Sequence, residues 1–262
     1  MRSLRHACAA ALVLAAAASS AAAELVRIPV RAELRVAIEP QQGAVAYALI
    51  FAGGHGKIQL DDAGQPQGLR GNFLLRARRH LSARGIGLVL VDAPSDYQGE
   101  AGLWPFRMQQ GHANDIGQVV SLVRQRFGRP VWLVGTSAGS LSVASAARLT
   151  GAGRPDGLVF TSSMTHSPRR RPVSVFDGNL AAYTGPALVM SHEQDGCQAT
   201  PASDAPRLLQ ALASARPKKM LLLNGGSPPR SDPCEAMSQH GYLGIEAQAM
   251  NAIADFILRP GN

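Results

Sequence analysis

Cysteine is nearly absent from this chain: only Cys8, Cys197 and Cys234 occur among 262 residues. Beyond its first residues the chain also lacks any stretch long and apolar enough to span a bilayer, so stable membrane insertion is not expected. It has no internal repeat and no low-complexity linker, which sets aside a solenoid or a string of modules. The net charge is +8. No basic helix interleaved with aromatics accompanies that charge, so nucleic-acid binding is not expected and the arginines read as solvated surface. Arg169-Arg170-Arg171, between Pro168 and Pro172, reads the same way, with a grip on an anionic substrate as the minor alternative.

What is present begins at the N-terminus. Arg2 and Arg5 make a basic start, Ala9 to Ala18 an apolar run, and Ala21-Ala22-Ala23 a small-residue cleavage site. Residues 1–23 are therefore expected to be a secretory signal peptide, and 24–262 one exported α/β domain, periplasmic or secreted. Export implies an oxidising compartment. The two cysteines left after cleavage, Cys197 and Cys234, are then expected to form one disulfide.

Short apolar strands alternate with helical stretches along the rest of the chain. Strands are expected at 25–30, 34–39, 44–51, 86–91, 131–134, 158–160, 187–190 and 218–223. Helices are expected at 72–84, 112–127, 140–149, 205–213 and 245–258. Strands that read as continuous apolar runs, each followed by a helix, imply a mostly parallel twisted sheet of about eight strands with helices on both faces. Residues 92–111 and 161–186 are long irregular stretches, of the kind that carry ligand sites at the carboxyl ends of such strands.

Gly135-Thr136-Ser137-Ala138-Gly139 is the most informative motif. It joins the strand at 131–134 to the helical segment from Ser140. A turn this tight needs glycines, and it lifts the serine hydroxyl above the sheet edge. A serine needs a base to become a nucleophile, and the base needs a carboxylate to orient it. With this elbow the partners follow in the order serine, acid, histidine. Asp195, just past the strand at 187–190 and followed by the turn residue Gly196, is the preferred acid, with Glu193 as its near rival and Asp232 and Asp204 behind. Asp204 reads better as a helix N-cap. His240, beside Gly241 and before the last helix, is the preferred base. His192 is expected to pack beside the acid loop, and His166 to line the pocket. A Cys197–Cys234 bridge would tie the acid loop to the histidine loop.

The oxyanion of an acyl-transfer intermediate needs two donors. The Ala138 N–H is one candidate; the second is expected from Gly53-Gly54-His55-Gly56, with Gly54 and His55 as candidates. This glycine run is not a phosphate-binding loop, because Gly56-Lys57-Ile58 lacks the Gly-Lys-Ser/Thr ending. No cofactor and no metal site is expected. Arg107 is a candidate grip on a substrate carboxylate, with a structural salt bridge as the alternative.

With Ser137, Asp195, His240 and the glycine run in place, the chain resembles the α/β-hydrolase superfamily from about Leu25 to Leu258. The resemblance implies a serine hydrolase working through an acyl-enzyme on a small-molecule ester or amide. Members of that superfamily with haloalkane or epoxide substrates carry an aspartate where Ser137 stands. Many members also carry a large helical lid; only Thr161 to Pro186 is available for one here. A compact esterase is implied, with Asp92 to Asp96 and Trp104 to Arg107 shaping the mouth of the site. An ester hydrolase is the first expectation. A peptidase or amidase with the same triad, and a non-catalytic binding protein on a hydrolase scaffold, are the alternatives.

Overall fold

The computed structural model describes residues 22–104, 106–167 and 173–261. The expected signal peptide (all but residues 22 and 23), Cys8 and the Arg169–Arg171 cluster lie outside the described residues.

Eight strands form one sheet: β1 Glu24–Pro29, β2 Glu33–Glu39, β3 Ala46–Phe51, β4 Ile86–Val91, β5 Val131–Ser137, β6 Gly157–Ser163, β7 Ala187–His192 and β8 Lys218–Leu223. Their order is β1-β2-β4-β3-β5-β6-β7-β8. β2 is antiparallel to both its neighbours, and every pairing from β4 onward is parallel. Helices cover both faces, as expected. The alternation along β3 shows how. Tyr47, Leu49 and Phe51 point into a core built with Ile116, Val119 and Val123 of α3 (Gln110–Phe127) and with Leu141 of α4 (Gly139–Ala146). Ala46, Ala48 and Ile50 point the other way, toward Phe73 and Leu74 of α1 (Phe73–Ala77) and toward Met250 and Ile253 of α6 (Glu246–Leu258). A strand buried on both faces has no polar side to show, which is why these segments are continuous apolar runs.

Two local expectations change. The helix expected over 72–84 is two short helices, α1 and α2 (Arg79–Ser82). The break falls at Arg78, whose guanidinium donates to the Leu75 carbonyl at 2.7 Å and to Glu39 of β2 at 2.9 Å. The Asn72 side chain caps α1 by accepting from the Leu74 N–H at 3.2 Å. The helix after the elbow runs Gly139–Ala146 and is buried along its whole length. Its small side chains let it lie between the sheet and α3. Between α4 and α6 the chain also forms α5 (Ala205–Ala211).

Asp92, expected at the mouth of the site, is not among the residues that line the cavity beside Ser137. It is buried at the end of β4, and its carboxylate accepts from the N–H groups of Ile58 (2.9 Å), Gln59 (3.1 Å), Leu60 (3.0 Å) and Ala93 (2.8 Å). The connection after β3 is thereby fastened to the sheet. A buried amide left without an acceptor costs about 1–3 kcal/mol. Asp92→Ala is therefore expected to lower the unfolding free energy by about 3 kcal/mol or more in urea denaturation. A loss below about 1 kcal/mol would show that the carboxylate is not what holds this connection.

Candidate active site

β5 carries its backbone straight into Ser137, whose φ of 54° lies in the left-handed region. That conformation strains a non-glycine residue and persists only where its surroundings dictate it. The surroundings here are contacts that only glycine permits. A Cβ on Gly139 would fall against the Phe51 carbonyl oxygen, and one on Gly135 would lie 2.5 Å from the Gly139 carbonyl oxygen. A Cβ on Gly53 would come within 2.9 Å of the Ser137 Cβ. The Ser140 hydroxyl then closes the corner. It donates to the Ser137 carbonyl at 2.6 Å and accepts from the Met164 N–H at 3.0 Å. The Ala138 N–H sits where α4 begins, so it is one of the amides a helix start leaves unpaired within the helix.

Asp195 follows β7, and His240 lies in the single turn Gln239–Gly241. Forty-five residues apart in sequence, they meet with His240 Nδ1 3.0 Å from Asp195 Oδ2. The imidazole is 6% exposed and the carboxylate 0%. Asp195 Oδ1 accepts from the Cys197 N–H at 3.0 Å. Thr200, which sequence reasoning missed, completes the cluster: its hydroxyl donates to Asp195 Oδ2 at 2.9 Å and lies 3.0 Å from His240 Nδ1. An acceptor carboxylate and a hydroxyl whose own proton is engaged both face Nδ1. The proton therefore belongs on Nδ1, which leaves Nε2 as a base. Glu193 is elsewhere. It is exposed, and Asn224 Nδ2 donates to it at 3.3 Å.

Ser137 and His240 line one cavity of about 370 Å³. Among the described residues no hydrogen bond joins their side chains. Gly53 and Gly54 form the floor beside Ser137; Leu69, Phe73 and Met237 are apolar walls. One rim is the segment between β8 and α6, which supplies Ser231, Cys234, Glu235 and Ala236. The length of this irregular segment was the available signal, but the sequence pointed there only to Asp232, Cys234 and His240. Cys234 of this rim is joined by a disulfide to Cys197 of the acid loop, 37 residues away. The rim is further held by Arg76 of α1, which donates to the Gly241 carbonyl at 2.6 Å and pairs with Glu246 at 3.0 Å.

Several expected residues lie away from the cavity. Arg107 is not among the residues lining the cavity and makes no salt bridge among the described residues. It is 1% exposed, and its guanidinium is spent on Ser142 and on two backbone carbonyls behind the glycine run. Burial brings its pKa down to about 9, so it remains charged at neutral pH. His166 does not line the cavity either. Its imidazole is exposed and lies 2.8 Å from Asp204, because the backbone N–H groups of Thr165 and His166 both turn to the Ala199 carbonyl. Asp204 occupies the N-cap position of α5 without a side-chain cap bond, its carboxylate being used by His166. His55 lies in a neighbouring cleft with Glu100 and Ala101, its Nδ1 accepting from the Lys57 N–H at 3.1 Å. Burial, then the charges of Lys57 and Arg107, hold its pKa below the ordinary value. His192 packs beside the acid loop, 2.9 Å from the Gly225 carbonyl.

With this geometry in view, the chain has the α/β-hydrolase fold. No protein-family model and no curated protein matches the sequence. Solved structures do match. A lidless α/β serine hydrolase of Xanthomonas campestris aligns over 92% of this chain and 97% of its own, with TM-score 0.59 and 16% identity. Est1E of Butyrivibrio proteoclasticus, with ferulic acid bound, aligns over 89% of this chain and 98% of its own, with TM-score 0.61 and 15% identity. The esterase Pf2001 of Pyrococcus furiosus aligns over 90% and 92%, with TM-score 0.63 and 9% identity. At such identities the likeness is one of fold. No helix among the described residues is long and apolar enough to cross a membrane.

Behind the cavity, His112 of α3 lies 2.9 Å from the Ser142 hydroxyl. Burial, then the charges of Arg107 and Arg31, push its pKa down to about 3. Unfolded, it titrates near the free value of about 6.5. Between those two values the unfolded chain binds the proton and the folded chain does not. The stability tied to this neutral ring is thus whole above about pH 6.5 and is lost as pH falls toward 3, by up to about 1.4 kcal/mol per unit. His112→Asn is expected to flatten the pH dependence of the unfolding free energy in that window. Parallel curves for the two proteins would contradict it.

Proposed function

We propose that this protein is an exported serine hydrolase that cleaves carboxylic esters of modest size through an acyl-enzyme on Ser137. The observation that carries the reading is the 3.0 Å contact between His240 Nδ1 and Asp195 Oδ2, with His240 and Ser137 lining one cavity. His240 Nε2 takes the Ser137 proton as Oγ attacks the carbonyl carbon, and the carbonyl electrons move onto its oxygen. That oxyanion is received by the Ala138 N–H and by an amide of the glycine run, Gly54 or His55. Gly54, which shares the cavity with Ser137, is the better supported of the two. The oxyanion collapses, and the proton on His240 leaves with the alcohol. Water repeats the sequence against the acyl-enzyme and releases the acid. Asp195 holds the imidazole and stabilises it when charged, and Thr200 fixes the carboxylate.

The size of the cavity and its apolar walls support a modest substrate with an apolar acyl group. Export is supported by the N-terminal leader pattern and by the disulfide, which suits an oxidising compartment. A fluorophosphonate probe is expected to label the wild type and not Ser137→Ala, with ester turnover falling about ten-thousand-fold or more in the variant. Folded wild type that takes no label would favour a binding protein. On p-nitrophenyl esters of rising acyl length, assayed beside aminoacyl anilides, the short esters are expected to turn over fastest; preference for the anilides would favour a peptidase.

The hydroxyl of Thr200 makes a separate prediction. Thr200→Val should lower kcat about five- to tenfold, the equivalent of one hydrogen bond of about 1 kcal/mol. An unchanged kcat would remove Thr200 from the triad's support.

A further inference from the structure

Arg107 is a buried cation with neither a carboxylate partner nor, at its Nε, a hydrogen-bond partner among the described residues. Burying such a group costs several kcal/mol unless its surroundings compensate. Its hydrogen bonds go to two places, the glycine run and α4. Nη2 donates to the Ala52 carbonyl at 2.8 Å, with a longer contact of 3.5 Å to the Gly54 carbonyl. Nη1 donates to Ser142 Oγ at 2.6 Å. The Gly53 carbonyl between the two loop contacts accepts from the Gly56 N–H at 3.2 Å. Three successive peptide carbonyls are thereby held. Each peptide is a rigid plane, so the directions of the Gly53, Gly54 and His55 N–H groups are held with them. Gly56 is part of the same device, because a Cβ there would lie 2.6 Å from Arg107 Nη2.

The other end of the guanidinium reaches α4, the helix that starts beside the Ala138 N–H. Ser142 accepts from Arg107, so its own proton is free for His112 Nε2 at 2.9 Å, and that bond fixes the hydroxyl. One side chain thus bridges the loop bearing one set of candidate oxyanion donors and the helix bearing the other. We propose that Arg107 is a positioning residue that keeps the two halves of the oxyanion site in register. The role rests on the hydrolase reading. Arg107 touches neither substrate nor the reacting atoms; it acts through the backbone of the glycine run and through α4.

Kinetics per competent site test this. Wild type, Arg107→Met and Arg107→Lys are assayed on a short p-nitrophenyl ester, with sites counted by stoichiometric fluorophosphonate labelling so that misfolded protein drops out. Oxyanion donors act in the transition state, and losing one costs about a hundredfold or more in kcat. Arg107→Met is expected to lose about thirty- to a hundredfold in kcat per labelled site with KM within about threefold. Arg107→Lys, which keeps the charge and can reach one carbonyl, is expected to recover part of that loss. Should Arg107→Met not fold, Ser142→Ala breaks the α4 end alone and is expected to lose about fivefold in kcat at unchanged KM. Variants equal to wild type per labelled site would overturn the positioning role and leave the hydrolase reading standing; so would a loss seen only in KM. A folded wild type that takes no label and turns over neither ester nor anilide overturns both.

Discussion

The corner between β5 and α4 is set by a backbone-to-backbone approach that tolerates no side chain. Gly139 passes under the Phe51 carbonyl at the end of β3, and Gly135 passes beside the Gly139 carbonyl. With those contacts in place Ser137 passes the corner at a positive φ and lines the cavity. Everything else in the site is arranged around that fixed point. The glycine run after β3 leaves no room for a side chain between Gly53 and Ser137, Met164 just past β6 donates its N–H to the Ser140 hydroxyl, and β7 ends where an acid can face the histidine.

Several of the buried polar groups follow one pattern. They fasten irregular chain to the elements around it, where no ladder of hydrogen bonds is available. Asp92 gathers the amides after β3, Asp195 holds the turn at Cys197 and the His240 ring, and Arg107 holds the glycine run to α4. Arg76 does the same for the rim beside His240. The exposed arginine pairs are a different matter. Arg27 with Glu33 and Arg126 with Glu24 lie in water, where such pairs contribute about 0–1 kcal/mol. The charge that matters to the site is the buried part, not the net excess.

Much of the architecture was legible because it rests on local pattern. Apolar runs of strand length at 86–91 or 187–190 read correctly, since a strand covered on both faces must be apolar throughout. The elbow was legible because glycine, serine and glycine at fixed spacing have a steric meaning that does not depend on distant residues. The break at Arg78 was not, because it depends on Glu39 of another strand. Thr200 was equally silent: a threonine five residues past Asp195 acquires meaning only when His240 arrives beside it.

Arg107 and His166 mark the limit most clearly. Both are polar residues in irregular segments, and both read as pocket-lining. One turned inward to brace backbone; the other turned out to Asp204. By itself the sequence determined the strands, the corner and the chain order of serine, acid and histidine, because these follow from hydrophobic period and from the space a Cβ needs. Only the tertiary structure decided which carboxylate meets the imidazole, which walls enclose the cavity and which arginine is buried, because those depend on directions that side chains take across elements far apart in the chain.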